Sequence, residues 1–110
     1  MPLYVGFDCS TQSLSATVIE IDGDVRRVVF QHSLNFDREF PAYKTRAGVL
    51  RGREPREVFA PPLMWAAALD RMMGVVSKAP GVDAASIRAI SGSAQQHGSV
   101  YLNDTALSVW

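Results

Sequence analysis

The alternation of apolar and polar residues in the first 34 positions predicts three β-strands. Residues 3–8 are mostly apolar and end on Asp8, which is typical of a strand with a polar stop. Residues 13–21 alternate with a period of two, which predicts a second strand. One of its faces would carry Leu14, Ala16 and Val18, and the other would carry Ser13, Ser15, Thr17 and Ile19.

A hairpin turn is predicted next, because Asp22-Gly23 between two β-type runs is a strong hairpin signal. Residues 25–34 then predict a third strand, with Val28, Phe30 and His32 on one side. The first third of the chain is therefore predicted to be an antiparallel three-strand meander.

Residues 35–57 show neither a helical nor a strand period and contain two prolines, two glycines and several basic side chains. They predict a long loop without regular structure, and loops of that length inside a compact domain are often functional. Acidic residues are mixed with the basic ones, so the segment is interpreted as a solvated loop rather than a surface for phosphate backbones.

Residues 61–78 predict a helix that begins at Pro61-Pro62 and ends before Pro80-Gly81. Its predicted apolar stripe consists of Leu63, Ala66, Ala67, Leu69, Met73 and Val76. Ile87–Ser91 predicts a strand parallel to the first one, since a helix separates them, and Ser99–Asn103 predicts a further short strand. The fold class is thus α/β with a mixed sheet.

Composition narrows the classes of partner. The 110 residues form at most one small domain, and 11 basic residues balance 11 acidic ones, which gives no electrostatic reason to expect nucleic acid or a membrane. The single cysteine and the absence of a signal-peptide pattern favour a cytoplasmic location. The apolar run at residues 61–69 is too short to cross a membrane.

The turn at residues 6–13 is the first candidate site. Consecutive backbone amides in a tight turn can converge on a phosphate group, and Ser10, Thr11 and Gln12 add uncharged donors. Asp8 would act on phosphate through Mg²⁺ and its water shell. The alternative is an ordinary turn, because Asp, Ser and Thr also bond their own backbone. Cys9 is interpreted as a packed small apolar residue.

The loop at residues 91–101 is the second candidate site, since it follows a predicted strand of an α/β sheet. Gln95, Gln96 and His97 both donate and accept hydrogen bonds, as the hydroxyls of a sugar require. The alternative is that His97 is only hydrogen-bonded within its own loop and binds no ligand. A metal site and a serine hydrolase are disfavoured, because the His and Cys spacings and the serine contexts match neither.

These motifs, in this order, resemble the start of the FGGY carbohydrate kinases, most closely the xylulose kinase branch. The similarity covers nearly the whole chain. Residues 6–12 resemble the first phosphate loop of the family, and Phe36-Asp37-Arg38 with residues 43–49 resembles the loop that follows it. Residues 61–65 and 68–70 resemble the first helix. Ser91–Tyr101 resembles the sugar loop and is the most specific match.

The resemblance implies a ribonuclease H-like fold of the actin, hexokinase and Hsp70 superfamily. It implies transfer of the ATP γ-phosphoryl group to a ketopentose such as D-xylulose, with Mg²⁺ as the metal and a small sugar as substrate. Asp8 would support the Mg²⁺–phosphate cluster, and Ser10, Thr11 and Gln12 would line the phosphate end. Gln96 and His97 would contact the sugar.

The resemblance further implies that residues 1–110 are part of the first domain of a two-domain kinase. The catalytic aspartate base and the adenosine site would lie outside it, so the piece alone is expected to be inactive. An unpaired sheet edge and uncovered apolar faces are expected to make it self-associate or unfold easily. A homodimer of the whole enzyme stays open. The alternatives are a kinase for another ketose or polyol, and a non-catalytic sugar-binding or scaffolding relic. A ribonuclease H-type nuclease is disfavoured, since it needs clustered carboxylates.

Overall fold

A computed structural model describes residues 1–95 and 98–108. Its strands are β1 (Leu3–Cys9), β2 (Ser13–Asp22), β3 (Val25–Asn35), β4 (Leu50–Arg51), β5 (Val58–Phe59) and β6 (Ile87–Ser93). Its α-helices are α1 (Phe36–Glu39) and α2 (Pro62–Ser77), and single 3₁₀ turns occur at Pro41–Tyr43, Ala84–Ser86 and Ala106–Ser108. The protein is therefore mixed α/β, as predicted.

The main sheet has the strand order β3-β2-β1-β6. Strands β1, β2 and β3 are antiparallel neighbours, whereas β6 runs parallel to β1 after the crossover through α2. The predicted meander and the predicted parallel strand are both confirmed. The Gly23 turn between β2 and β3 has a φ of 59°, a left-handed conformation that suits the residue.

The core lies between one face of this sheet and α2. Leu14, Ala16 and Val18 of β2 are buried on that face, which confirms the predicted alternation. Strand β1 contributes Leu3 and Val5 to the same core. Glu20 is buried at the far end of β2, where its carboxylate accepts a hydrogen bond from the guanidinium of the exposed Arg27 at 3.1 Å.

Strand β3 contains a bulge that the sequence pattern does not reveal. Val18 pairs with Phe30 and Ile19 pairs with Val28, so Val29 is the extra residue. Phe30 and His32 share one face and stack with ring centroids 6.2 Å apart. Val28 lies on the opposite face, because the inserted residue reverses the alternation. The predicted grouping of Val28 with Phe30 and His32 is therefore wrong.

Helix α2 has nearly its predicted bounds but buries a different side. Met64, Ala68, Met72 and Val76, four residues apart, are its buried residues. Of the predicted stripe, Val76 is buried, Ala67 is half-buried, and Leu63, Ala66, Leu69 and Met73 are exposed. The stripe prediction was wrong because apolar residues surround most of this helix, so periodicity alone does not fix which side faces the sheet.

Two further predictions are corrected. Residues 35–57 are not structureless, since they contain α1, a 3₁₀ turn and β4, which pairs with β5. The predicted strand at Ser99–Asn103 does not form. The segment has no regular structure, and among the described residues no strand pairs with the outer edge of β6. No helix in the described part of the chain is both long and apolar enough to cross a membrane.

Candidate functional site

The two candidate segments leave the sheet at the same edge. Asp8, near the end of β1, lies opposite Ser15 of β2 on one side and opposite Ser93 of β6 on the other. Strands β1 and β6 are parallel, so the turn after Cys9 and the loop after Ser93 both begin at this edge. Side chains directly opposite one another share a face of the sheet, and here that face is the one away from α2.

This second face of the sheet is lined by small and polar residues around Asp8. Gly6 lies opposite Ser91 and Thr17, one step back along the strands. Ser15 is hydrogen-bonded to Ser33 of β3 at 2.8 Å between hydroxyl oxygens. The Asp8 side chain is exposed among these hydroxyls. The surface around Asp8 thus supplies hydroxyl and carboxylate oxygens, and the space above Gly6 is open.

The turn that joins β1 to β2 uses part of its own polar chemistry. The Ser10 amide donates to the Ser13 carbonyl at 2.9 Å, and the Ser10 hydroxyl lies 3.2 Å from the same oxygen. Ser10 therefore stabilises the turn, as the ordinary-turn interpretation predicts for a serine. Thr11 and Gln12 are exposed at the tip, where their side chains face solvent.

The carboxylate of Asp37 holds the loop of residues 44–49 against this turn. One oxygen of Asp37 accepts from the Thr45 hydroxyl at 2.6 Å and from the Gly48 amide at 3.0 Å, and the other accepts from the Ala47 amide at 2.7 Å. These bonds, that of Thr45 first, hold the pKa of Asp37 below its ordinary value. Their stabilisation is present above that ordinary value and is lost as pH falls through the lowered pKa.

Gly48 provides the contact between this loop and the turn. A Cβ atom on Gly48 would lie 1.9 Å from the Thr11 carbonyl oxygen, so only glycine fits. Gly48 also has a φ of 79°, which glycine adopts without strain. The turn is held from the other side by the Phe36 amide, which donates to the Gln12 carbonyl at 2.9 Å. Sequence reasoning assigned no role to Asp37 or Gly48, although Gly48 was visible as an isolated glycine.

Cys9 follows Asp8 in the strand and faces the other way, into the apolar layer beneath the sheet. Burial, and secondarily the negative charge of Asp8, raise the pKa of the Cys9 thiol. The thiol is therefore protonated at neutral pH and behaves as a packed apolar group, as predicted.

The donor set at this edge bears on the kind of metal it could support. Among the described residues no three His, Cys, Asp or Glu side chains converge on one point, so a metal cage made of protein ligands is not formed by them. Mg²⁺ bound mainly by phosphate oxygens and water needs only one or two carboxylates. The exposed Asp8 carboxylate, flanked by serine hydroxyls, fits that requirement.

The predicted sugar contacts Gln96 and His97 lie outside the described residues. The part of the loop before them, Ser91–Gln95, is described, and its first three residues belong to β6 beside β1. The start of the loop is therefore next to Asp8, whereas the sugar-binding role of Gln96 and His97 stays a prediction.

An apolar groove between α2 and β6, about 790 Å³ in volume, is a feature that sequence reasoning missed. The residues lining it include Phe7, Trp65, Leu69, Met73, Ile90 and Leu102. The indole N–H of Trp65 is buried and has no hydrogen-bond partner among the described residues. The exposed apolar residues of α2 could have indicated this groove, had they not been assigned to the core.

Comparison with known proteins gives relatives that share nearly all of this chain. A probable D-xylulose kinase A of Arthroderma otae is 43% identical over 105 residues, and the D-xylulose kinase A of Aspergillus niger is 41% identical over the same length. Each match covers 96% of this chain but only 18% of the relative. These matches confirm the resemblance to xylulose kinases. No protein-family model matches the chain.

Among solved structures, the chain is similar to a Ppx/GppA family member of Aquifex aeolicus, with a TM-score of 0.43 and 10% identity. The match covers 84% of this chain and 26% of the other. A second structure, a type II variant of the Aquifex aeolicus Ppx/GppA phosphatase, also has a TM-score of 0.43. A likeness this loose supports no conclusion about function.

Proposed function

We propose that this chain is the N-terminal portion of an ATP-dependent carbohydrate kinase of the FGGY family. Its reaction is transfer of the γ-phosphoryl group of ATP to a hydroxyl of a ketopentose such as D-xylulose, in the cytoplasm. The proposal rests most directly on the parallel register of β1 and β6, which starts the Asp8 turn and the sugar loop at one edge. The D-xylulose kinase names of the relatives favour the same activity.

The fold assigned to the whole enzyme is the ribonuclease H-like fold of the actin, hexokinase and Hsp70 superfamily. A meander followed by a helix and a parallel strand, in the order β3-β2-β1-β6, is consistent with the beginning of such a domain. In that fold a cleft between two domains holds the nucleotide and the substrate. The present chain would contribute one wall of the cleft.

At the phosphate end, the turn of residues 6–13 would receive the terminal phosphates of ATP. The exposed tip residues Thr11 and Gln12 would donate to phosphate oxygens, while Ser10 maintains the turn. Asp8 would orient a water molecule of the Mg²⁺ shell. Phosphoryl transfer depends on alignment and on positive charge at the phosphate oxygens, and Mg²⁺ supplies that charge when it is bound.

At the sugar end, Gln96 and His97 would hydrogen-bond the hydroxyls of the substrate. Both side chains can combine hydrogen-bond donors with acceptors, which matches a polyol better than a charged ligand. The catalytic base is expected in the portion of the kinase that follows this chain. The isolated 110 residues are therefore expected not to catalyse phosphoryl transfer.

The test is a panel of ketoses and polyols with ATP and Mg²⁺, using the longer polypeptide that begins with this chain. We expect sugar-dependent ADP release that is greatest with a ketopentose. Asp8→Asn should lower kcat/KM by about 100-fold or more, because it weakens stabilisation of the phosphoryl group. His97→Ala should raise the KM for the sugar more than the KM for ATP.

The matched control for Asp8→Asn is Asp24→Asn, the same change in the exposed turn at the opposite end of β2. It should leave the rate within about 2-fold of wild type, as expected for a surface substitution. ADP release that does not depend on any sugar, or equal losses from Asp8→Asn and Asp24→Asn, would refute the assignment.

A further inference from the structure

The loop of residues 44–49 is held in a conformation that its sequence does not favour. Lys44, Ala47 and Gly48 have φ values of 59°, 53° and 79°. The left-handed conformation costs a non-glycine residue about 1–2 kcal/mol, so two of the three are strained. Such strain persists only where surrounding contacts fix the backbone.

The contacts that fix this loop converge on Asp37. Its carboxylate accepts three hydrogen bonds from the loop, at 2.6, 2.7 and 3.0 Å. Thr45, the source of the shortest bond, is 7% exposed, and without the carboxylate its hydroxyl would keep only the weak acceptor Sδ of Met64, 3.9 Å away. The backbones of Arg46 and Val49 also exchange two hydrogen bonds, with N···O distances of 2.9 and 3.1 Å.

The same loop bears directly on the turn beside Asp8. The Cα of Gly48 lies so close to the Thr11 carbonyl that a methyl group there would overlap its oxygen. On the neighbouring peptide, Gln12 accepts from Phe36, the residue before Asp37. The element that carries Asp37 therefore restrains the turn twice, once through its own backbone and once through the loop that the carboxylate holds.

We infer that Asp37 is a positioning residue that fixes the Thr11–Gln12 backbone through the loop of residues 44–49, and so preorganises the turn for a phosphate group. Preorganisation matters because a donor that is already aligned loses little freedom when the anion binds. The identity of that phosphate as part of ATP rests on the proposed function, whereas the mechanical coupling from Asp37 to the turn does not.

Two substitutions break this coupling at different points, and the chain offers a matched control for each. Asp37→Asn removes the charge and one acceptor, and its control is Asp83→Asn, since Asp83 accepts from the Ala85 amide and the Ser86 hydroxyl at 3.1 Å in a remote turn. Gly48→Ala inserts a methyl group against Thr11. Its control is Gly81→Ala, because Gly81 has the same φ of 79° but no atom within 4 Å of the added methyl.

The first readout is the backbone amide spectrum of the full 110-residue chain, labelled with ¹⁵N. We expect the amides of residues 10–13 to shift in Asp37→Asn and Gly48→Ala but not in the controls. Hydrogen exchange of the Ser10 and Phe36 amides, which are bonded to Ser13 and Gln12, should accelerate by about 10-fold or more in the same two variants. The amides that join β2 to β3 serve as an internal standard of folding. If Asp37→Asn loses them, Thr45→Val, which removes a single bond, replaces it.

The second readout is the dissociation constant of Mg²⁺-ATP for the longer polypeptide that begins with this chain, which we expect to rise by about 10-fold in the two test variants alone. Turn amides that stay unchanged, or that respond equally in the controls, would overturn the inference whatever the dissociation constant of Mg²⁺-ATP. Failure of the wild-type longer polypeptide to bind ATP would instead count against the proposed function, and the amide comparison would still decide the role of Asp37.

Discussion

At the scale of single residues, the alternation of a strand gives two neighbours opposite surroundings. Asp8 faces the polar side of the sheet, and Cys9 faces the apolar side beneath it. The sequence predicted the packing of Cys9, because strand periodicity is reliable once the strand is identified. The bonding of Ser10 within its own turn was the alternative that the sequence offered, whereas the hold of Asp37 on the loop of residues 44–49 could not be predicted, since it depends on tertiary contacts.

The thiol of Cys9 gives a prediction at this scale. Because burial and the charge of Asp8 raise its pKa, alkylation by iodoacetamide at pH 7.5 should be several-fold slower in the folded chain than in urea. Asp8→Asn should accelerate the folded-state reaction by about 2-fold, since even a small fall in pKa increases the thiolate fraction. Asp24→Asn is the control. Equal rates for folded and unfolded chain would contradict the account.

At the scale of elements, local sequence signals predicted which strands and helices form better than which side of each one faces the core. The Asp-Gly turn and the period of two in β2 predicted the meander correctly, and the prolines marked the start of α2. The side of α2 that packs on the sheet was predicted wrongly, because several of its exposed residues, among them Leu63, Leu69 and Met73, are as apolar as its buried ones. The bulge at Val29 had no signal, since either register leaves apolar residues on both faces.

Two adjacent methionines in α2 test the corrected orientation. Met72 is fully buried in the core, whereas Met73 is 45% exposed. Met72→Ala should lower the free energy of unfolding by about 2–5 kcal/mol, because it leaves a cavity. Met73→Ala should change it by no more than about 0.5 kcal/mol. Urea denaturation followed by circular dichroism measures both, and the reverse ranking would restore the stripe predicted from sequence.

At the scale of the whole molecule, the chain forms a four-stranded main sheet and the small β4–β5 pair. Helix α2 packs on one face of the main sheet, and no strand of the described residues pairs with the outer edge of β6. The groove between α2 and β6 exposes apolar side chains, among them Leu69 and Ile90, which a partner or a further segment of chain would cover. The chain spans 18% of the length of its D-xylulose kinase relatives. The expected self-association of the isolated piece stays a prediction, with this groove and edge as its physical basis.

The claim on which the account depends is that the turn after Asp8 and the loop after Ser93 face a common space. Mn²⁺-ATP bound to the longer polypeptide that begins with this chain tests it directly, because the paramagnetic ion broadens the amide signals of nearby residues. We predict that the amides of residues 8–13 and 93–99 broaden together at low Mn²⁺, and that Asp8→Asn weakens both effects. Broadening confined to one segment, or centred on the Asp22–Asp24 turn at the other end of the sheet, would contradict a shared site.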